Sequence, residues 1–108
     1  MKRVYRNESS ESIVARELLE VVWYDNGGLM ERQGQFTKFK KRLQRILKKL
    51  PREVFDLFLI EEYETEIGTD TFIDTFAIGD ESVKNALIGK YPELKDVDDL
   101  LNEWFDIN

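Results

Sequence analysis

Six carboxylates, Glu61, Glu62, Glu64, Glu66, Asp70 and Asp74, fall within fourteen residues, and no lysine or arginine stands among them. Like charges this close repel one another, so a solvated face has little reason to collect them. Three chemistries suit such a run. Carboxylate oxygens hold hard cations, but the D-x-[DN]-x-[DN]-G calcium spacing is missing from both DNGGLMERQGQF and DVDDLLNEWFDI. A two-metal nuclease pairs clustered carboxylates with a lysine, yet Lys84 is the first lysine after the run and no recognisable spacing joins them. The third chemistry is recognition. A row of carboxylates complements a basic protein by standing where phosphates otherwise bind, and it speeds association by steering. On this reading Glu62, Glu64, Glu66, Asp70 and Asp74 are the partner-binding charges. Glu93, Asp96, Asp98, Asp99, Glu103 and Asp106 continue the same sign, with Tyr63, Tyr91 and Trp104 as aromatic anchors. For Trp104 and Phe105 the simpler expectation is a place in the core.

The opposite charge is concentrated in FTKFKKRLQRILKKLPR, residues 36–52, which hold half of all lysines and arginines. Phe36, Phe39, Leu43, Ile46, Leu47 and Leu50 recur at helical spacing and make a core-facing stripe. Lys38, Lys41, Arg42, Arg45, Lys48 and Lys49 fall on the other side. They are the candidate nucleic-acid contacts, each able to neutralise a phosphate and release a counterion. This face carries no aromatic for stacking on bases, and Gln44 alone to read them. A basic amphipathic helix also suits a membrane surface or a partner's groove. The simplest role is a solvated outer face, partly paired with acids from the other half of the chain.

What is missing narrows the chemistry further. There is no histidine and no cysteine, so Ser–His–Asp and Cys–His arrangements, imidazole- or thiolate-bound zinc and disulfide frameworks are all excluded. DNGG, residues 25–28, follows a helical pattern and reads as a helix terminator, since a phosphate loop needs its glycines between a strand and a helix N-terminus. GDES, residues 79–82, lacks the G-x-S-x-G spacing of a nucleophile elbow. The expectation is a protein that is not an enzyme, with no catalytic residue, no cofactor and no metal.

The 108 residues are 42% apolar and 12% aromatic, a composition that builds one folded domain, expected over 1–108. Residues 1–52 carry thirteen Lys and Arg against six Asp and Glu, a net of +7. Residues 53–108 carry three against sixteen, a net of −13. Such asymmetry marks an interaction surface, or two halves that fold against each other. No signal peptide follows MKR, and apolar runs such as 57–60 are far short of a membrane span. A cytoplasmic location without membrane contact is therefore expected.

The elements that would position these charges are mostly helical. Residues 1–8 read as an extended entry. A first helix begins after an N-cap at Ser9 or Ser10 and carries Val14, Leu18, Val21 and Val22, with Ile13 and Trp23 broadening the stripe; Asn26, Gly27 and Gly28 end it. LMERQGQ is a loop, and the basic helix follows. Pro51 stops that helix and opens another toward Gly68. Thr69 or Asp70 caps a short helix closed by Gly79. Asp80 caps ESVKNALI, closed by Gly89, and Asp96 caps VDDLLNEWFDI, with Val97, Leu100, Leu101, Trp104 and Phe105 as its stripe. The fold class expected is a mainly α, single-domain bundle of five or six short helices. The alternative is α+β with a hairpin at about 57–78. There YETEIGTDTFIDTFAI alternates around Gly68, Thr69 and Asp70, with Tyr63, Thr65 and Ile67 on one face and Glu62, Glu64 and Glu66 on the other.

In composition the chain resembles small inhibitory binding proteins: bacterial immunity proteins, antitoxins and phage proteins that block a nucleic-acid enzyme. The resemblance implies a non-enzymatic module that docks its acidic surface on a basic partner. The alternative is a nucleic-acid-binding regulator that uses the basic helix at 36–50.

Overall fold

The computed structural model describes residues 8–25, 33–66 and 68–106. The chain is mainly helical, with six α-helices and one small hairpin among the described residues. In order these are α1 (Ser10–Asp25), α2 (Gln33–Lys48), α3 (Arg52–Phe55), a 3₁₀ turn (Asp56–Leu59), β1 (Tyr63–Thr65), β2 (Gly68–Asp70), α4 (Phe72–Ile78), α5 (Glu81–Lys90) and α6 (Leu94–Asp106). The bundle and the hairpin, expected as alternatives, coexist. The extended entry at 1–7, the terminator at Asn26, Gly27 and Gly28, and Ile67 lie outside the described residues.

Helix α1 starts where Ser9 Oγ accepts the Ser12 N–H at 3.1 Å, satisfying a donor that the first turn leaves free. Val14, Ala15, Leu18, Leu19, Val22 and Trp23 are all buried, a broader face than the expected stripe. The reason is position, for α2, α4 and α6 all pack on α1. Helix α2 begins three residues before Phe36. It buries Phe39, Leu43 and Leu47 at i, i+4 and i+8, with Phe36, Ile46 and Leu50 partly covered. It stops before Pro51, whose carbonyl then accepts the Val54 and Phe55 N–H groups as α3 begins.

The long helix expected between Pro51 and Gly68 does not form. After α3 and the 3₁₀ turn the chain is extended, and β1 and β2 pair antiparallel as Tyr63↔Asp70, Glu64↔Thr69 and Thr65↔Gly68. Tyrosine and threonine favour a pleated surface, and Gly68 takes φ +146, a backbone angle that side chains disfavour. Tyr63 and Thr65 are partly covered while Glu64 points out, as the alternation predicts. The reversal lies between Thr65 and Gly68, not around 68–70. The base of the hairpin is tied by the Phe72 N–H to Ile60 carbonyl bond of 3.0 Å.

Three boundaries move. Thr71, not Thr69 or Asp70, caps α4, its hydroxyl accepting the Asp74 N–H at 3.0 Å. Gly89 lies inside α5, which runs to Lys90 and ends at Tyr91, whose backbone leaves the helical region before Pro92. Helix α6 begins at Leu94 from a turn over Tyr91 and Pro92, so Asp96 sits in its first turn and is no cap. Gly79 does close α4, because a Cβ there would collide with the Thr75 carbonyl oxygen. Gly79→Ala should therefore cost about 1–3 kcal/mol, as other insertions into packed space do. A denaturant midpoint unchanged from the parent would contradict this.

One core joins the elements. Trp23, Phe36, Phe39 and Trp104 form an aromatic cluster with ring centroids 5.2–5.9 Å apart, and the Trp104 indole donates to the Leu19 carbonyl at 3.0 Å. Phe58, Tyr63, Phe72 and Phe76 form a second cluster beneath the hairpin. Phe105, expected in the α6 stripe, is 43% exposed. No helix among the described residues is long and apolar enough to cross a membrane.

Candidate functional site

The hairpin and the helices around it gather acids from three parts of the chain. One groove of about 690 Å³ runs between α1 and the segment 58–61, with the start of α4 at its end. Ile13, Val21, Tyr24, Leu59, Ile60 and Ile73 supply its apolar lining, and Glu17, Glu20, Glu61 and Asp74 its charges. Tyr24 is 75% exposed and Leu59 49%. A second groove of about 740 Å³ lies between the hairpin and the α4–α5 corner, bordered by Glu64, Glu66, Asp70, Asp74 and Asp80. Asp74 borders both, so the two grooves form one acidic and partly apolar face.

Of the five expected partner-binding carboxylates, Glu64, Glu66, Asp70 and Asp74 come together here. Glu62 is exposed but borders neither groove. Glu17 and Glu20 join from α1, about forty residues upstream of the acidic run. Their spacing with Tyr24 on the uncovered side of α1 is the signal that would have found them. None of these acids makes an ion pair among the described residues.

The clustering is felt in their protonation. The Glu17 carboxyl is held above its usual range, first by lost hydration, then by the charges of Glu20, Asp74 and Glu61 acting against Arg16. Glu17 is exposed and borders the groove that Ile13, Val21 and Leu59 line. Asp74 is raised by burial and by the neighbouring Asp70, against the hydrogen bond from Thr71. A carboxyl raised in the folded state costs nothing while both states are protonated. The penalty grows as pH rises from the unfolded value through the folded one. Glu17→Gln should therefore leave thermal stability unchanged near about pH 3 and increase it at about pH 7. A variant less stable than the parent at neutral pH would contradict this origin. Glu8 behaves in the opposite sense: hydrogen bonding to Arg16 and Lys40 lowers it, so its stabilisation is present above 4.5 and lost as pH falls through the lowered value.

Three of the six C-terminal acids differ from this set, while Glu93, Asp96 and Asp106 make no ion pair among the described residues. Asp98 pairs with Lys84 at 3.4 Å, Asp99 with Lys95 at 2.7 Å and Glu103 with Arg42 at 3.0 Å. Asp98 and Lys84 are largely covered between α5 and α6 and serve the packing of the bundle; the Asp98 Oδ1 distance is long for a hydrogen bond and the atom is otherwise unpartnered. Trp104, offered as an anchor, is 3% exposed and belongs to the core. Tyr63 and Tyr91 are half-buried.

On α2, Arg42 is the one candidate nucleic-acid contact with an acidic partner among the described residues. It grips Glu103 through both terminal nitrogens and lies over the Phe39 ring. Lys38, Lys41, Arg45, Lys48 and Lys49 are exposed and make no ion pair among the described residues. Among the described residues, no group of three or more carboxylates is arranged to hold a metal ion. The GDES residues divide between the end of α4 and the start of α5, with Ser82 exposed.

The chain matches no protein-family model, no curated protein and no solved structure. Two charged surfaces stand out on the described fold, the acidic face around the grooves and the cationic face of α2.

Proposed function

We propose that the protein is a non-enzymatic binding module that docks its acidic face on a basic protein. One observation carries the reading. Glu17, Glu20, Glu61, Glu64, Glu66, Asp70 and Asp74 border contiguous grooves with exposed apolar lining, and none makes an ion pair with a described cation of the chain. Elsewhere among the described residues five acids are paired, Glu8, Asp56, Asp98, Asp99 and Glu103, while single acids such as Glu11, Glu53 and Glu93 stand unpaired without a bordering groove. Unrelieved repulsion on one face costs stability, and a cationic partner removes that cost on binding. The apolar lining offers what charge alone does not, a surface whose burial supports affinity. A nucleic-acid-binding protein is a partner of suitable chemistry, because its cationic cleft is shaped for rows of negative charge. The protein would then act as its inhibitor, as an immunity protein or antitoxin does.

The test is a pull-down from host extract with the full chain, eluted in salt steps. The expected result is one basic protein retained in stoichiometric amount and released at high salt. Retention of no protein, or of one that a Glu20→Lys/Glu61→Lys/Glu64→Lys variant retains equally, would overturn the reading.

A further inference from the structure

Counting the cations by partner separates α2 from the rest of the chain. Arg16 and Lys40 pair with Glu8, Arg42 with Glu103, Arg52 with Asp56, Lys84 with Asp98 and Lys95 with Asp99. Lys90 lies over the Tyr91 ring. The remaining described cations are Lys38, Lys41, Arg45, Lys48 and Lys49, all exposed on or just after α2. With acids in excess over the whole chain, leaving these five unpaired keeps one continuous strip of positive charge. Lys38, Lys41, Arg45 and Lys48 stand at i, i+3, i+7 and i+10, a nearly straight row about 15 Å long.

We infer that this row binds the phosphate backbone of double-helical nucleic acid, without sequence preference, at a site separate from the acidic face. The residues around it decide among polyanions. A helix that lies on a membrane needs apolar side chains beside its cations, whereas Phe39, Leu43 and Leu47 are buried against the rest of the bundle. Single strands are gripped by stacking on aromatics, and this face has none. A second copy of the chain would present grooves with apolar lining, to which the row offers no apolar anchor. A duplex backbone asks for spaced positive charge alone.

Repulsion from the acidic half does not forbid this. Helix α1 packs on both α2 and α4, and the molecule measures 35 × 30 × 25 Å. Those extents are several times the screening length of about 8–10 Å at physiological salt, so acids on distant parts of the molecule act only weakly on the row.

The full chain is titrated against a short labelled DNA duplex of mixed sequence over about 50–200 mM salt. Five phosphate contacts predict a slope of log K against log salt of about −4.5, which weakens binding roughly 500-fold across that range. Lys38→Gln/Arg45→Gln/Lys48→Gln should flatten the slope to about −1.8. Lys41→Gln/Lys49→Gln should bring it to about −2.7, and it serves should the triple variant misfold by circular dichroism. No duplex binding at the lowest salt would overturn the inference. So would a slope that both variants leave unchanged, preference for anionic lipid vesicles over duplex, or salt-sensitive self-association without duplex binding.

Discussion

Trp104→Ala is expected to lower the free energy of unfolding by about 3–5 kcal/mol, the range for deleting a large buried aromatic. Trp104 is 3% exposed, touches the rings of Trp23, Phe36 and Phe39, and so joins α1, α2 and α6. Domains of this size have roughly 5–15 kcal/mol of stability in total, so the variant should melt far below the parent or fail to accumulate. A second pair of substitutions separates packing from hydrogen bonding. The Trp104 indole has the Leu19 carbonyl as acceptor, while the buried Trp23 indole N–H has none among the described residues. Trp104→Phe should therefore cost more than Trp23→Phe, by about 1 kcal/mol, the usual net worth of one hydrogen bond. Denaturant unfolding of the three variants checks the ordering. If Trp104→Ala unfolds like a surface substitution, α6 does not close the core through this residue.

The same residues show what can be read from a sequence and what cannot. The α2 stripe was legible because its information is local: Phe39, Leu43 and Leu47 recur at the helical period whatever packs on them. Gly79 was legible as a stop, although the reason is the Thr75 carbonyl against any added Cβ and not backbone freedom. The segment after Pro51 was ambiguous because its apolar run fits both periods, and the hairpin brings Tyr63 of β1 onto Phe72 of α4, a contact that no local period encodes. Asp98 looked like one more acid on a negative surface; only tertiary structure brings Lys84 to it from α5. For the candidate site, Glu64, Glu66, Asp70 and Asp74 were visible as a run of like charge. Glu17 and Glu20 were not, because they join that run only once α1 lies along the 58–61 segment. Phe105 fell on the expected stripe yet points out, since periodicity says which side of a helix is apolar and not how far its neighbour extends.

On the proposed reading the acidic face carries the largest expected functional effect. Glu20→Lys/Glu61→Lys/Glu64→Lys is then expected to slow association with a basic protein captured from host extract by about tenfold or more at low salt. All three residues border the grooves, and none makes an ion pair in the described fold. The reversal therefore changes the field without breaking an internal contact, and stability should hold or rise as repulsion is relieved. Steering acts on the encounter, so the association rate should fall more than the dissociation rate rises, and the rate should depend less steeply on salt. A paired variant, Leu59→Ala/Ile60→Ser, trims the apolar lining and should act the other way, speeding dissociation while leaving association and its salt dependence nearly intact. Stopped-flow or surface-based kinetics at two salt concentrations distinguishes them. If reversal leaves the association rate unchanged, the acids are bystanders, and their cost to the fold has another origin. If trimming the apolar residues changes nothing while reversal slows encounter, the grooves attract the partner and its anchoring lies elsewhere.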